Sequence, residues 1–211
     1  MNTVWFYKMI GKAYDLLDVT YFRNANRSPR VAVLNLIPKE KELKVLELCT
    51  GTATNCIKIA KARPDAIIIG VDRSKEMLSI ANRKIKKERV SNIRLKRREA
   101  SNTNLPDKSF DVIILSLVLH ECTNKEAKVI MKEASRLLKD TGKILVTEWE
   151  ESKEPSKRAM FYPIKKLEPK EYYEFSKQDM KKYMKEMGFE LRYTKHCDYT
   201  KIMVLKKLKK E

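Results

Sequence analysis

Glycine is scarce in this chain of 211 residues, with only Gly11, Gly51, Gly70, Gly142 and Gly188. No two of them lie close enough to build the G-x-G-x-x-G loop of a dinucleotide site, which excludes that ligand class. No apolar run approaches the roughly 20 residues that span a bilayer. Met1 to Leu17 carries charges and lacks a small-residue cleavage site, so neither secretion nor membrane spanning is expected. Cys49, Cys56, Cys122 and Cys197 form no C-x-x-C pair and no metal-ligand spacing. They read as reduced, mostly buried thiols of a cytoplasmic protein, with no metal expected. Glutamine occurs once, at Gln178 beside many Lys and Glu, a trend of heat-adapted proteins. Acidic residues are in short supply: 28 against 46 Lys and Arg leaves a net charge of +18. Such a field attracts anions and suits an acidic membrane face, or else marks a solvated lysine-rich surface.

The length fits one domain over residues 1–211, large enough to bury roughly 70% of its unfolded surface without staples. Phe6, Ile10, Ala13, Tyr14 and Leu17 fall at helical spacing, and a second helix is predicted from Ser28-Pro29 to Pro38. Residues 1–37 thus read as a helical cover. From Lys44 short apolar runs alternate with helical ones, the signature of a parallel sheet with helices on both faces. Strands are predicted at Val45–Leu48, Ile67–Asp72, Ile93–Lys96, Phe110–Ser116, Lys143–Glu148, Phe189–Tyr193 and Ile202–Leu205. Helices are predicted near Thr54–Ala62, Ser74–Lys87, Lys125–Leu138 and Lys177–Met187. The fold class is α/β, a doubly wound, seven-stranded, mostly parallel sheet with an antiparallel terminal hairpin. Residues 150–176, with Pro155, Pro163 and Pro169 and little periodicity, read as a surface connection or a lid.

In open α/β sheets ligands bind beyond the carboxyl ends of the strands. Three acids stand there: Glu47 in the first strand, Asp72 at the end of the second and Glu99 after the third. Asp72 lies 21 residues beyond Gly51 (72 − 51), the spacing at which an acid accepts from a ribose in nucleotide-binding βαβ units. The loop Cys49-Thr50-Gly51-Thr52-Ala53 has one glycine, and Glu47 would repel a diphosphate. A cationic nucleoside without phosphates suits it better.

Four stretches in order and spacing resemble class I S-adenosylmethionine-dependent methyltransferases. The resemblance is closest to the type 11 group of ubiquinone and menaquinone biosynthesis and related small-molecule enzymes. They are Val45–Ala53, Gly70–Leu78, Glu99-Ala100 with Leu105–Ile113, and Leu137–Leu145. The resemblance covers about Tyr14 to Leu205. It implies that S-adenosylmethionine is bound and S-adenosylhomocysteine released. Glu47, Cys49, Gly51 and Thr52 would approach the methionine part, Asp72 and the adjoining Arg73 the ribose, Met77, Glu99 and Ala100 the adenine, and Ser116 the methionine pocket. The chain departs from the family pattern at Cys49 and Ala53, where glycines are usual.

For the acceptor, Tyr14, His120 and Glu148 are the candidates near the pocket mouth. Methyl transfer is promoted largely by alignment, and a base is needed only where the acceptor must lose a proton. The acceptor is expected to be a small molecule attacking through N, O or C. A lipid headgroup or quinone at an anionic membrane surface, and cofactor binding without catalysis, are the alternatives. A basic run from Arg83 to Arg98 lacks interleaved aromatics, so nucleic acid is not expected.

Overall fold

The computed structural model describes Tyr21 and residues 27–208. Tyr14 and the first predicted helix lie outside the described residues. The elements are α1 (Pro29–Asn35), β1 (Lys44–Leu48), α2 (Thr54–Ala62), β2 (Ile67–Asp72), α3 (Lys75–Glu88), β3 (Ile93–Arg97), β4 (Phe110–Ser116), α4 (Asn124–Leu137), β5 (Leu138–Trp149), α5 (Pro155–Leu167), α6 (Lys170–Ser176), α7 (Met180–Glu186), β6 (Phe189–His196) and β7 (Thr200–Lys207). A short 3₁₀ turn covers Leu119–Glu121. The sheet order is β3-β2-β1-β4-β5-β7-β6. The strands from β3 to β5 pair in parallel, while β7 is antiparallel to both β5 and β6. The expected doubly wound sheet with a terminal hairpin is therefore the fold.

Strand alternation divides the core into two layers. Leu46, Leu48, Ile113, Leu115, Ile144 and Val146 pack toward Ala127, Met131 and Ala134 of α4 and Met184 of α7. Val45, Ile68, Val112, Ile114 and Leu145 pack toward Ala32 and Val33 of α1, Cys56 and Ile59 of α2, and Ala81 of α3. Each such side chain contributes about 1.5–3 kcal/mol when taken fully from water. Glu47 shares the parity of Val45, so its side chain falls on the α2 layer.

The helix starts follow from capping chemistry. Ser74 accepts from the Met77 amide at the head of α3, and Thr123 with Glu126 forms a capping box on α4. Two expectations need correction. Residues 150–176 contain two helices, because Pro155 occupies the first turn of α5 and Pro169 sits immediately before α6, positions where proline favours a helix start. Pro163 lies inside α5, where it removes a backbone donor and disguises the helix in the sequence. Gly142 lies within β5, which begins at Leu138 and not at the predicted Lys143. A Cβ at Gly142 would stand 2.7 Å from the Leu138 side chain and 3.0 Å from the Asp111 carbonyl oxygen. The edge strand β3 exposes Arg94, Lys96 and Arg97, cations that discourage pairing with another chain.

Candidate functional site

Where β1 ends, the chain turns through Cys49 at φ 55°, Gly51 at φ 53° and Ala53 at φ 60°. Cys49 and Ala53 hold left-handed backbone despite carrying a Cβ, a conformation that costs such residues roughly 1–2 kcal/mol each. Local hydrogen bonds hold the turn. Glu47 accepts from Thr50 Oγ1 at 2.6 Å, from Asn55 Nδ2 at 2.7 Å and from Cys56 Sγ at 3.1 Å. Gly70 lets the loop lie close on β2, since a Cβ there would meet Leu95 at 2.8 Å and Thr50 at 3.0 Å. Glu47 is buried, and its oxygens serve this loop.

Asp72 extends the arrangement sideways. It accepts from the Gly51 amide at 2.8 Å and from the Ser74 amide at 2.8 Å. Burial raises its pKa, opposed by those two amides. The Arg98 amide donates to the Asp72 carbonyl at 3.1 Å, which brings Glu99 and buried Ala100 to the same rim. Asn55 Nδ2 also donates to Ser116 Oγ at 3.0 Å, joining the end of β4 to the loop. Glu47, Gly51, Asp72, Glu99, Ala100 and Ser116 are thus tied into one rim. Met77 is buried under the first turn of α3, and Arg73 is exposed beside Asp72.

Several contributors carried no recognisable sequence signal. Asn55 bridges Glu47 and Ser116, yet reads as one polar residue in a helix. Lys84 Nζ reaches from α3 to Thr52 and Thr54 hydroxyls at 3.1 and 2.9 Å. Glu133 receives the Thr103 amide and hydroxyl at 2.9 and 2.7 Å, which fixes the turn after Ala100. The Arg136 guanidinium, aided by the Thr103 donors, lowers Glu133 to about 2.

The β4–β5 side is different in character. Leu117 follows β4 with φ 58°, uncommon for a bulky residue. It packs with Trp149, Phe161, Tyr172 and Tyr199. His120 is buried; its Nδ1 bonds Glu148, and its Nε2 lies 3.1 Å from Glu168 of the α5–α6 link. Glu148, wholly buried, also accepts from the Leu119 amide at 2.8 Å. Burial lowers the His120 pKa, but the Glu148 and Glu168 carboxylates outweigh it and hold the ring up at about 10. The imidazole is therefore protonated at neutral pH with both N–H groups engaged. Tyr172 meets the ring edge-on, 6.0 Å between centroids. A cavity of about 270 Å³ opens beside this group, bounded by Trp149, Glu150, Glu151, Tyr172, Phe175 and Lys201.

A parallel sheet whose last strand inserts antiparallel between β5 and β6, with acids rimming its carboxyl end, defines the class I methyltransferase architecture. A methyltransferase-domain model matches residues 39–196. The chain belongs to the methyltransferase-domain family. It is 28% identical to a demethylmenaquinone methyltransferase of a Geobacillus species over 67% of this chain and 60% of that protein. It is 32% identical to one of Lactobacillus johnsonii over 54% and 50% respectively. The matched stretch thus spans about half to three fifths of these relatives. Among solved structures, an S-adenosylmethionine-dependent methyltransferase of Aquifex aeolicus superposes with TM-score 0.72 at 18% identity, over 92% of this chain and 97% of that one. A putative one of Methanococcus maripaludis gives 0.74 at 18%, over 95% and 93%. The magnesium protoporphyrin IX methyltransferase of Synechocystis, solved with bound SAH, gives 0.68 at 17%, over 89% and 85%. The cofactor of this family is S-adenosylmethionine.

The rim suits that cofactor. Among the described residues, its chain neighbours aside, no atom lies within 4 Å of the place a Cβ would take at Gly51, so these residues leave the crown of the loop open to a ligand. Asp72, with one amide on each oxygen, keeps lone pairs for a diol. Burial pushes the Cys49 thiol far up and the Cys122 thiol to about 12, so both are neutral. Among the described residues no helix is long and apolar enough to cross a membrane.

Proposed function

We propose that this chain is an S-adenosylmethionine-dependent methyltransferase of a small-molecule acceptor, working as a single domain in a cytoplasm that keeps its thiols reduced. The observation that carries this reading is the Asp72–Gly51 hydrogen bond beneath an open loop crown. The cofactor supplies an activated methyl group. The chain's own residues bind and align. Asp72 takes the ribose, with Arg73 beside it; Glu99 and the Ala100 backbone take the adenine, against Met77. Cys49, Gly51, Thr52 and Ser116 border the methionine part, and Glu47 fixes their shape while adding negative charge near the sulfonium end.

On the acceptor side His120 acts as a cation oriented by Glu148. With both ring nitrogens engaged it has no lone pair for taking a proton in this closed arrangement. Alignment, and water exclusion by α5 and α6 acting as a lid, supply the rate enhancement, and effective molarities make that several kcal/mol. The relatives' name makes an aromatic quinol one acceptor to include. The test is release of S-adenosylhomocysteine from S-adenosylmethionine across a panel of phenols, carboxylic acids, amines and quinols. Turnover of at least one member is expected; cofactor binding with no turnover of any class would reduce the chain to a binding protein.

A further inference from the structure

A buried imidazolium with a carboxylate on each nitrogen holds one negative charge more than it needs. The two acids of this cluster are not equivalent. Glu148 belongs to β5, is wholly buried and is also fixed by the Leu119 amide. Glu168 lies on the extended link formed with Pro169 between α5 and α6, and its side chain is 12% exposed. Among the described residues its polar contact is His120 Nε2, at 3.1 Å. One carboxylate is built into the sheet, and the other is carried on the lid.

The neighbouring cavity is walled by the rings of Trp149, Tyr172 and Phe175. Its other acids are occupied elsewhere: Glu150 meets His196 at 2.7 Å, and Glu151 meets Lys165 at 2.8 Å. Among the described residues, Tyr172 from α6 and Lys201 from β7, with His120 itself, complete the titratable groups lining this space. If Glu168 left His120 with nothing in its place, a buried N–H donor would lose its partner, which is unfavourable. An incoming anion replaces that partner and leaves the charge balance of the cluster unchanged.

We infer that Glu168 is an internal stand-in for the methyl acceptor: its carboxylate occupies a subsite on His120 Nε2 that takes an ionised oxygen of an aromatic acceptor, a carboxylate, phenolate or enolate, which enters by displacing it. The inference rests on the methyltransferase reading and deepens it by giving the acceptor a chemical class. Flat rings suit the cavity walls, where edge-on aromatic contact is favourable. Neutral acceptors forgo the charge–charge attraction that displaces Glu168.

Benzoate is the probe and benzamide its neutral counterpart, applied to the full chain labelled with ¹⁵N-histidine. The chain has two histidines, so His120 and His196 give separable signals. In the unaltered protein benzoate is expected to shift His120 Nε2 saturably and leave His196 unmoved. In Glu168→Gln benzoate should bind at least about tenfold tighter, because apparent affinity scales with the fraction of open sites. Glu168→Ala should behave alike, and benzamide should gain little in either variant. Equal benzoate affinity in all three proteins, or perturbation of His196 alone, would overturn the inference; the unaltered protein alone suffices if a variant folds poorly. S-adenosylhomocysteine binding on the same samples reads the other site. Its absence would count against the methyltransferase reading while leaving the benzoate result to stand by itself.

Discussion

At the β1–β2 side of the rim, Glu47 draws its donors from residues three, eight and nine positions ahead, and Asp72 from the Gly51 amide 21 positions earlier and from its own helix start. At the β4–β5 side, His120 is held by acids 28 and 48 positions later, one from the sheet and one from the α5–α6 link. The first region is a hydrogen-bonded frame around Glu47, whose own donors lie within nine positions, with left-handed backbone at three positions. The second is a long-range charge cluster buried among aromatic rings. On our inference the cluster closed by Glu168 rearranges when that residue gives way to an anion. That inference makes the first side a frame for the cofactor and the second a site for an exchangeable ligand.

Glu148→Ala breaks the second region hardest. It strands a buried imidazolium and the Leu119 amide, and the urea midpoint should fall by the equivalent of about 3–5 kcal/mol. The pH dependence comes next. His120 has a folded pKa raised above its unfolded 6.5 to about 10. Its stabilisation is therefore full below pH 6.5 and is lost as pH rises toward 10. Unfolding at pH 7 and pH 9.5 should differ by on the order of 3 kcal/mol, since each pH unit between the unfolded and folded pKa is worth about 1.4 kcal/mol. Glu148→Gln should flatten that slope, and a slope unchanged in the variant would detach it from His120. In the first region effects are smaller. Cys49→Gly removes left-handed strain, partly offset by chain entropy, and should raise the thermal midpoint by about 2–4 °C. Lys84→Met should raise the KM for S-adenosylmethionine about threefold with kcat unchanged, the worth of one ordinary hydrogen bond. A fall in kcat instead would move Lys84 to the chemistry.

The same contrast explains what could be read from the chain. The acids, the single-glycine bend and the strand order are encoded within stretches of ten to thirty residues, where alternation and spacing speak directly. The bounds of β2, β4 and α2 follow from their apolar patterns alone. Helices α5 and α6 were hidden because Pro155 and Pro169 serve as helix starters while Pro163 interrupts α5, and their aromatic residues show no clear period. Glu168 was invisible for a different reason: nothing local links Leu167-Glu168-Pro169 to a histidine 48 residues earlier. Asn55 and Lys84 act through the frame, and single polar residues on helices give no spacing to detect.

Calorimetric titration of S-adenosylhomocysteine into the unaltered protein, Asp72→Ala and the surface variant Glu88→Ala tests the central claim most directly. Binding should weaken about 100-fold in Asp72→Ala, the loss expected for two hydrogen bonds to a charged group, and stay unchanged in Glu88→Ala. Equal affinity in all three folded proteins would contradict the account.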